Sequence, residues 1–199
     1  MKTILKILLL TVTTALYSQP VLSTTSLQNI NDVFKHADNG NYAKDIANER
    51  NQYLGLWRYN QDGILFEIKI ELKNKRKNKI ENDGNLFLYY YMDVVVIKYK
   101  LMKNGIQIYN NLQTLTPPVR DSYGFKTADS NFLAGRFLDY TRNVYANYTI
   151  TKLNTTPEKI IFEINELHYT LLNPPSFYIN SGIKLFTIPT EAIEMVKVD

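Results

Sequence analysis

The residue types that most often carry catalysis or metal binding are scarce in this chain. It contains no cysteine and only two histidines, His36 and His168, and neither histidine has an HExxH or HxH spacing around it. Thiolate nucleophiles, disulfides and zinc–thiolate sites are therefore excluded, and histidine-based chemistry is not indicated. The sequence also lacks a Gly-x-Ser-x-Gly elbow, a P-loop and a glycine-rich dinucleotide turn. We accordingly predict no catalytic residue, no cofactor and no metal site.

A pair of carboxylates is the one catalytic arrangement that the sequence leaves open, because two acids need only meet in a cleft. Glu67, Asp93, Asp139 and Glu163 lie on or beside predicted strands. Asp93 is the most notable of them because it interrupts an apolar and aromatic stretch. A β-bulge or a turn between two strands is the simpler explanation for an acid at that position. We therefore do not expect an enzyme.

Tyrosine is the residue type most suited to surface recognition here. The chain has 15 tyrosines and 9 phenylalanines, with a cluster at residues 89–91. Exposed tyrosines favour carbohydrate stacking or a protein interface. Tyrosine is also a strong strand former, so the same composition is typical of a sheet without such a role.

The basic residues do not indicate a nucleic-acid partner. The net charge is +4, but Lys2 and Lys6 belong to a predicted export segment, and without them 21 basic residues face 19 acidic ones. Most of the excess comes from residues 73–79 (KNKRKNK). Nucleic-acid binding usually spreads cations over a whole face. We interpret the run as a solvated hairpin loop, with binding to anionic lipid headgroups as the alternative.

The N-terminus has the pattern of a secretory signal peptide. A basic start is followed by an apolar stretch at residues 7–16 and by small residues, so we predict cleavage after Ser18. The apolar stretch is shorter than a membrane span requires, and no later segment is long enough, so no transmembrane segment is expected. The predicted location is periplasmic or secreted. We divide the chain into a signal peptide at 1–18, a polar lead-in with a short helix at 19–50, and one β-barrel domain at 51–199.

The spacing of apolar residues from Tyr53 onward predicts strands. Phe66, Ile68 and Ile70 alternate with charged residues, which is typical of an antiparallel strand with one buried face. Residues 86–101 suit one long strand or two short ones, and Asn104-Gly105 predicts a tight hairpin after them. Further strands are predicted at residues 131–139, 144–153, 160–166, 184–188 and 193–198, and long loops at 111–130 and 168–182.

About eight to ten short antiparallel strands indicate an all-β domain. We favour an up-and-down barrel, because closure leaves no unpaired edge, and keep a two-sheet sandwich as the alternative. Residues 43–51, and the spacing of Leu27, Ile30 and Val33 in the lead-in, indicate short helical turns before the barrel.

The opening of the β region resembles that of lipocalin-type barrels. Gly55-x-Trp57 follows a short helical stretch and begins the first strand. The resemblance implies that the glycine permits close approach at the barrel floor and that the tryptophan packs under a ligand cavity. It also implies an arginine on the last strand stacked on the tryptophan; this chain departs from that pattern and has Lys197 on the last strand, or Lys184 one strand earlier.

Over residues 50–199 the chain also resembles a family of uncharacterised secreted proteins of Gram-negative bacteria. That likeness implies a domain of unknown function and no known activity. The shared segments are the Tyr53-x-Gly55-x-Trp57 opening, residues 93–97 before the Asn-Gly turn, Gly135-x-Phe137-x-Asp139, and Ile188-Pro189.

Binding is therefore the predicted function. The first hypothesis is a small-ligand-binding barrel that holds an apolar or amphipathic molecule inside. The alternative is a carbohydrate- or protein-binding surface module without an internal cavity, since a small barrel can be filled by its own side chains. The oligomeric state stays open. The predicted ligand-contacting residues are Trp57, Phe66, Ile68, Ile70, Val95, Ile97 and Tyr99.

Overall fold

A computed structural model describes residues 23–26, 40–82, 85–114, 122–125, 131–171 and 184–198. Within these ranges the chain forms eleven strands and one 3-10 turn at Asn51–Tyr53. No helix in them has the length and apolar character needed to cross a membrane. The strands are β1 (Ser23–Ser26), β2 (Asn41–Lys44), β3 (Gly55–Gln61), β4 (Ile64–Asn82), β5 (Asn85–Lys103), β6 (Ile106–Asn110), β7 (Ser122–Phe125), β8 (Phe132–Asp139), β9 (Val144–Leu153), β10 (Lys159–Leu171) and β11 (Ile193–Val198).

Eight of these strands close into an antiparallel barrel. Their order is β5–β4–β3–β11–β10–β9–β8–β7, and β7 returns to β5 through the pairs Val95–Gly124 and Ile97–Ser122. β6 pairs with β5 outside this ring, and β2 and then β1 extend the sheet from β5 in parallel. The predicted all-β antiparallel barrel is confirmed, and the sandwich alternative is not what the chain forms.

Two tight hairpins set the register at one end of the barrel. Asn104 and Gly105, with φ of 50° and 79°, join β5 to β6, as the Asn-Gly signal predicts. Asp62 and Gly63, with φ of 52° and 73°, join β3 to β4 in the same way. Positive φ at both central residues is what a type I′ turn requires, and its twist matches that of the strands.

The strands β4 and β5 are 19 residues long and continue past the barrel as a ribbon. The basic run at residues 73–79 lies in β4 within this ribbon, so its prediction as a hairpin loop is wrong. The reason is its pairing with the tyrosine-rich part of β5. The ammonium groups of Lys75 and Lys77 lie 5.3 Å and 4.7 Å from the ring centroids of Tyr91 and Tyr89, so the long side chains pack along the strand.

A buried polar cluster fixes the segment before the barrel onto this ribbon. Asp93 accepts hydrogen bonds from the Tyr42 hydroxyl (2.6 Å) and from the Lys75 backbone N–H (2.9 Å). The Arg50 guanidinium lies 3.5 Å from Asp93 and 2.7 Å from Asp45. Burial, and then the hydrogen bond to Asp93, raise the pKa of Tyr42 to about 12. Asp93 stands opposite a β-bulge in β4, between Lys73 and Arg76, so the predicted bulge exists but lies in the partner strand.

Four further boundaries differ from the sequence-based expectation. Residues 43–51 form the end of β2 and turns, in which Asp45 accepts hydrogen bonds from the backbone N–H groups of Glu49 and Arg50. The predicted helical turns are therefore reduced to the single 3-10 turn at Asn51–Tyr53, which leads into β3. Residues 184–188 are irregular rather than a strand, and β7 lies inside the predicted loop at 111–130. β10 runs to Leu171, past the start of the predicted loop at 168–182, because residues 169–171 pair with β9. The predicted signal peptide and the lead-in helix near Leu27 fall outside the described residues.

Candidate functional site

All the side chains predicted to contact a ligand lie in the barrel interior. Each is at most 2% exposed, and they form part of one apolar cluster. Cross-strand pairing explains how they meet, since Trp57, Ile68 and Tyr99 are successive partners on β3, β4 and β5. The same alternation brings Phe66, Ile70, Val95 and Ile97 to the inner face.

Aromatic rings from opposite walls of the barrel touch one another across its interior. The ring centroid of Phe66 on β4 lies 5.6 Å from that of Phe162 on β10 and 6.3 Å from that of Phe137 on β8. Tyr99 on β5 lies 5.2 Å from Phe137. Rings at these separations are in contact. The interior side chains therefore pack against each other at this level of the barrel.

The end of the barrel at which β3 begins is closed by Trp57 and a salt-bridge network above its ring. The Trp57 indole N–H donates to the Tyr53 carbonyl at 2.8 Å. The ammonium groups of Lys152 and Lys197 lie 4.6 Å and 5.6 Å from the Trp57 ring. Glu158 bridges both lysines at 2.7 Å and 2.5 Å, and these hydrogen bonds lower its pKa to about 2. Lys197, a lysine where the lipocalin resemblance implies an arginine, thus lies near the Trp57 ring, and Lys152 lies nearer still.

The opposite end, which we call the mouth, is crossed by residues 184–190, which we call the strap. Asp139 at the end of β8 is fully buried and holds the strap. Its carboxylate accepts hydrogen bonds from the Thr187 backbone N–H (2.6 Å) and hydroxyl (2.7 Å). It also accepts from the backbone N–H (3.0 Å) and hydroxyl (2.7 Å) of Thr141. Phe186 and Ile188 of the strap are buried in the core.

A pocket of about 500 Å³ lies at the mouth between the strap and the β3–β4 hairpin. We call it the mouth pocket. Lys103 and Lys184 line it, and neither forms an ion pair with any other described residue. Its apolar lining is contributed by both elements: Tyr59, Ile64, Leu185, Phe186, Ile188 and Pro189. Thr187, Thr190 and Glu191 complete it.

A second and larger depression, about 860 Å³ in volume, lies on the outside of the barrel wall. We call it the outer groove. It runs across β7, β8, β9 and β10 to Thr190 and Glu191, which also line the mouth pocket. Its lining mixes polar side chains with apolar and aromatic ones, among them Tyr148 and Ile164 of the interior cluster. The lining residues are Tyr123, Ala134, Gly135, Arg136, Asn147, Tyr148, Thr149, Glu163, Ile164, Asn165, Thr190 and Glu191.

The four strand carboxylates singled out in the sequence do not come together. Glu67 is paired with Arg58 at 2.6 Å and with Lys100 at 3.7 Å. Asp93 belongs to the buried polar cluster beside the ribbon, and Asp139 accepts hydrogen bonds from the strap. Glu163 lines the outer groove. Among the described residues, no group of three or more His, Asp or Glu side chains is arranged to hold a metal ion.

The sequence named Glu163, Lys184 and Ile188-Pro189 for other reasons but did not predict that they line a depression. Lys103 and Lys184 are far apart in the chain. They meet because Lys103 ends β5 at the mouth and the strap, which carries Lys184, crosses that end of the barrel. Arg136, Asn147 and Asn165 lie on the outer face of predicted strands, where polar residues are expected in any case. The Lys103-Asn104-Gly105 turn was the one local signal, since it places a lysine at a barrel end.

Comparison with known proteins gives one match. A family of unknown function, DUF6705, matches residues 1–197. Neither the curated proteins nor the solved structures contain a match to this chain.

Proposed function

We propose that this chain, which belongs to the DUF6705 family of unknown function, is an exported, non-catalytic binding protein that holds an amphipathic anion at the mouth of its barrel. The observation that carries the proposal is the mouth pocket, in which two lysines without ion-pair partners among the described residues adjoin an apolar surface. Binding pockets for small molecules usually have this composition, with apolar walls and a few placed polar groups.

The two parts of the pocket would take different parts of the ligand. The ammonium groups of Lys103 and Lys184 suit a carboxylate, sulfate or phosphate head, because charge-assisted hydrogen bonds are stronger than neutral ones. Ile64, Leu185 and Pro189 suit a hydrocarbon tail. Glu191 is also in the lining, so the local charge is that of two cations and one carboxylate.

The packed interior argues for the mouth rather than the lumen as the place of binding. Phe66, Phe137 and Phe162 meet across the barrel axis. A tail that entered between them would have to displace packed rings, and overpacking of a filled core is unfavourable. The predicted interior residues then form the floor beneath the ligand instead of contacting it.

The test is isothermal titration calorimetry with decanoate and decyltrimethylammonium, which share a tail length and differ in head charge. We expect decanoate to bind at least about tenfold more tightly, since a charge-assisted hydrogen bond contributes about 1.5–3 kcal/mol. The Lys103→Met/Lys184→Met variant should lose this preference. Lys44→Met, on β2 at the other end of the molecule, is the matched control and should retain it. Equal affinities for the two heads, or an unchanged preference in the double variant, would refute the proposal.

Export is part of the same proposal and is supported by the signal-peptide pattern of residues 1–18. Expression of the full chain in a Gram-negative host should give a periplasmic or secreted product that begins at Gln19. Mass spectrometry of that product measures this directly. A cytoplasmic product that retains the first 18 residues would count against export and leave the mouth pocket unaffected.

A further inference from the structure

We infer that the ribbon formed by β4 and β5 carries a second interaction surface, and that this surface binds the anionic headgroups of a phospholipid bilayer. The ribbon lies at the end of the barrel opposite the mouth pocket, because β4 continues to Asn82 beyond its last pair with β3, Gly55–Ile70. The inference does not depend on what the mouth pocket binds.

The two faces of the ribbon differ in what covers them. One face carries Met92 and Val94, which are buried in a small apolar cluster with Ala43 of β2, and Tyr123 of β7 packs against this cluster. Arg76 belongs to the same face, since its guanidinium lies 3.8 Å from the Tyr123 ring centroid. This face is therefore used for packing within the protein.

The opposite face, which we call the basic face, alternates lysines with tyrosines. Lys77 pairs with Tyr91 and Lys79 pairs with Tyr89 across the two strands, and paired residues point to the same side of a sheet. Lys75, in the bulge, lies with its ammonium group 5.3 Å from the Tyr91 ring centroid, and that of Lys77 lies 4.7 Å from Tyr89. Lys75 and Lys79 are exposed. The lysine stems thus cover the rings and carry their ammonium groups toward the surface.

The ribbon has a surplus of positive charge. Residues 72–92 contain five basic residues, four of them lysines, and two acidic ones, Glu81 and Asp83. The tyrosine rings that pack on Lys75 and Lys77 attract an ammonium group without cancelling its charge. An anionic bilayer surface is complementary to this surplus, and each lysine close to such a surface adds about fivefold to the affinity.

An exposed leucine beside the basic face favours a bilayer over other polyanions. Leu72 pairs with Val95, which lies on the same face of β5 as Tyr91 and Tyr89, and it is 42% exposed. Leucine and tyrosine side chains suit the boundary between headgroups and acyl chains, where they leave water while lysines stay with the phosphates. A nucleic acid offers phosphates without such an apolar layer.

The test is cosedimentation of the exported protein with vesicles of phosphatidylcholine alone and of an equal mixture with phosphatidylglycerol. We expect the mixed vesicles to bind about 100-fold more tightly, because three lysines contribute about fivefold each. The preference should be lost when NaCl is raised from about 0.1 M to about 1 M, which shortens the Debye length from about 10 Å to about 3 Å.

A pair of double variants locates the binding surface. Lys75→Met/Lys77→Met removes two charges but keeps unbranched side chains that can pack on the rings, so the affinity for mixed vesicles should fall about 25-fold. Lys103→Met/Lys184→Met removes the same charge at the mouth and is the matched control, which should bind the vesicles like the unchanged protein. Lys75→Arg/Lys77→Arg keeps the charge and should also bind.

Three results would overturn the inference: equal binding to the two kinds of vesicle, unchanged binding by Lys75→Met/Lys77→Met, or loss of binding in the mouth variant instead. Binding of a DNA duplex through Lys75 and Lys77, without binding of vesicles, would also overturn it and assign the basic face to nucleic acid. The urea midpoint of each variant shows whether it is folded. Decanoate titration of the same preparations reports the mouth pocket separately, so failure at the ribbon is distinguishable from failure at the mouth.

Discussion

Replacing Asp139 by asparagine tests how the strap is held over the mouth. The substitution keeps the shape of the side chain and converts one acceptor oxygen into an NH2 donor. Each carboxylate oxygen accepts at least two hydrogen bonds: Oδ2 from the N–H and hydroxyl of Thr187, and Oδ1 from those of Thr141. Whichever way the amide turns, one backbone N–H then faces another donor.

The size of the effect follows from these contacts. Hydrogen bonds to a charged group contribute about 1.5–3 kcal/mol, and a buried donor left without an acceptor costs about 1–3 kcal/mol. We expect Asp139→Asn to lower the free energy of unfolding by about 3 kcal/mol, a large part of the roughly 5–15 kcal/mol that holds a typical domain folded. Thr187→Val removes the hydroxyl but keeps the backbone N–H, so it should lower the free energy of unfolding by only about 1 kcal/mol.

The assay is urea denaturation followed by the fluorescence of Trp57, the single tryptophan. Because Trp57 closes the far end of the barrel, its signal reports unfolding of the whole domain. With a urea dependence of about 1–3 kcal/mol/M, the midpoint for Asp139→Asn should fall by roughly 1–3 M. A decrease in stability below about 0.5 kcal/mol, within the range of ordinary surface substitutions, would show that Asp139 does not anchor the strap.

Three other predictions concern the barrel wall, its closed end and its core. Gly124→Ala should lower the free energy of unfolding in urea by about 1–3 kcal/mol, because the new Cβ would lie 2.0 Å from the Tyr148 hydroxyl. Adding Tyr148→Phe should recover part of this loss. A double variant no more stable than Gly124→Ala alone would contradict the contact. The hydrogen bonds to Lys152 and Lys197 lower the pKa of Glu158 from 4.5 to about 2. The stabilisation by this network is therefore complete above about pH 4.5 and is lost as the pH falls toward 2. Trp57 fluorescence should change between pH 4.5 and pH 2, and Glu158→Gln should show the acid-state fluorescence already at neutral pH. Identical pH titrations of the variant and the unchanged protein would contradict the network. Phe162→Ala should lower the free energy of unfolding by about 3–5 kcal/mol and create a cavity that binds benzene. Added benzene should then raise the melting temperature of the variant. An equal rise in the unchanged protein would mean that its interior is already open.

The barrel was predictable because its strands carry strong local signals. The alternation around Phe66 and the Asn104-Gly105 turn depend on residues close in sequence, and both are confirmed. The same local rules failed at residues 73–79, where the composition is that of a loop. There, tyrosines on the neighbouring strand supply packing surfaces that the sequence of β4 alone does not show.

The candidate sites were less predictable because they depend on contacts between distant segments. The strap is irregular and is held by one buried carboxylate, Asp139, that lies 48 residues before Thr187 in the chain. No periodicity indicates such a contact. The sequence did identify the interior set, but it could not show that rings such as Phe137 and Phe162 would fill the space between the walls.

Methyl NMR of isoleucine-labelled protein during titration with decanoate tests most directly where the ligand binds. If an amphipathic anion binds at the mouth of a packed barrel, the methyl signals of Ile64 and Ile188, which line the mouth pocket, should shift on binding. Those of Ile68 and Ile97, buried in the interior cluster, should stay in place. Shifts at Ile68 and Ile97 comparable with those at Ile64 would place the ligand inside the barrel and contradict this account.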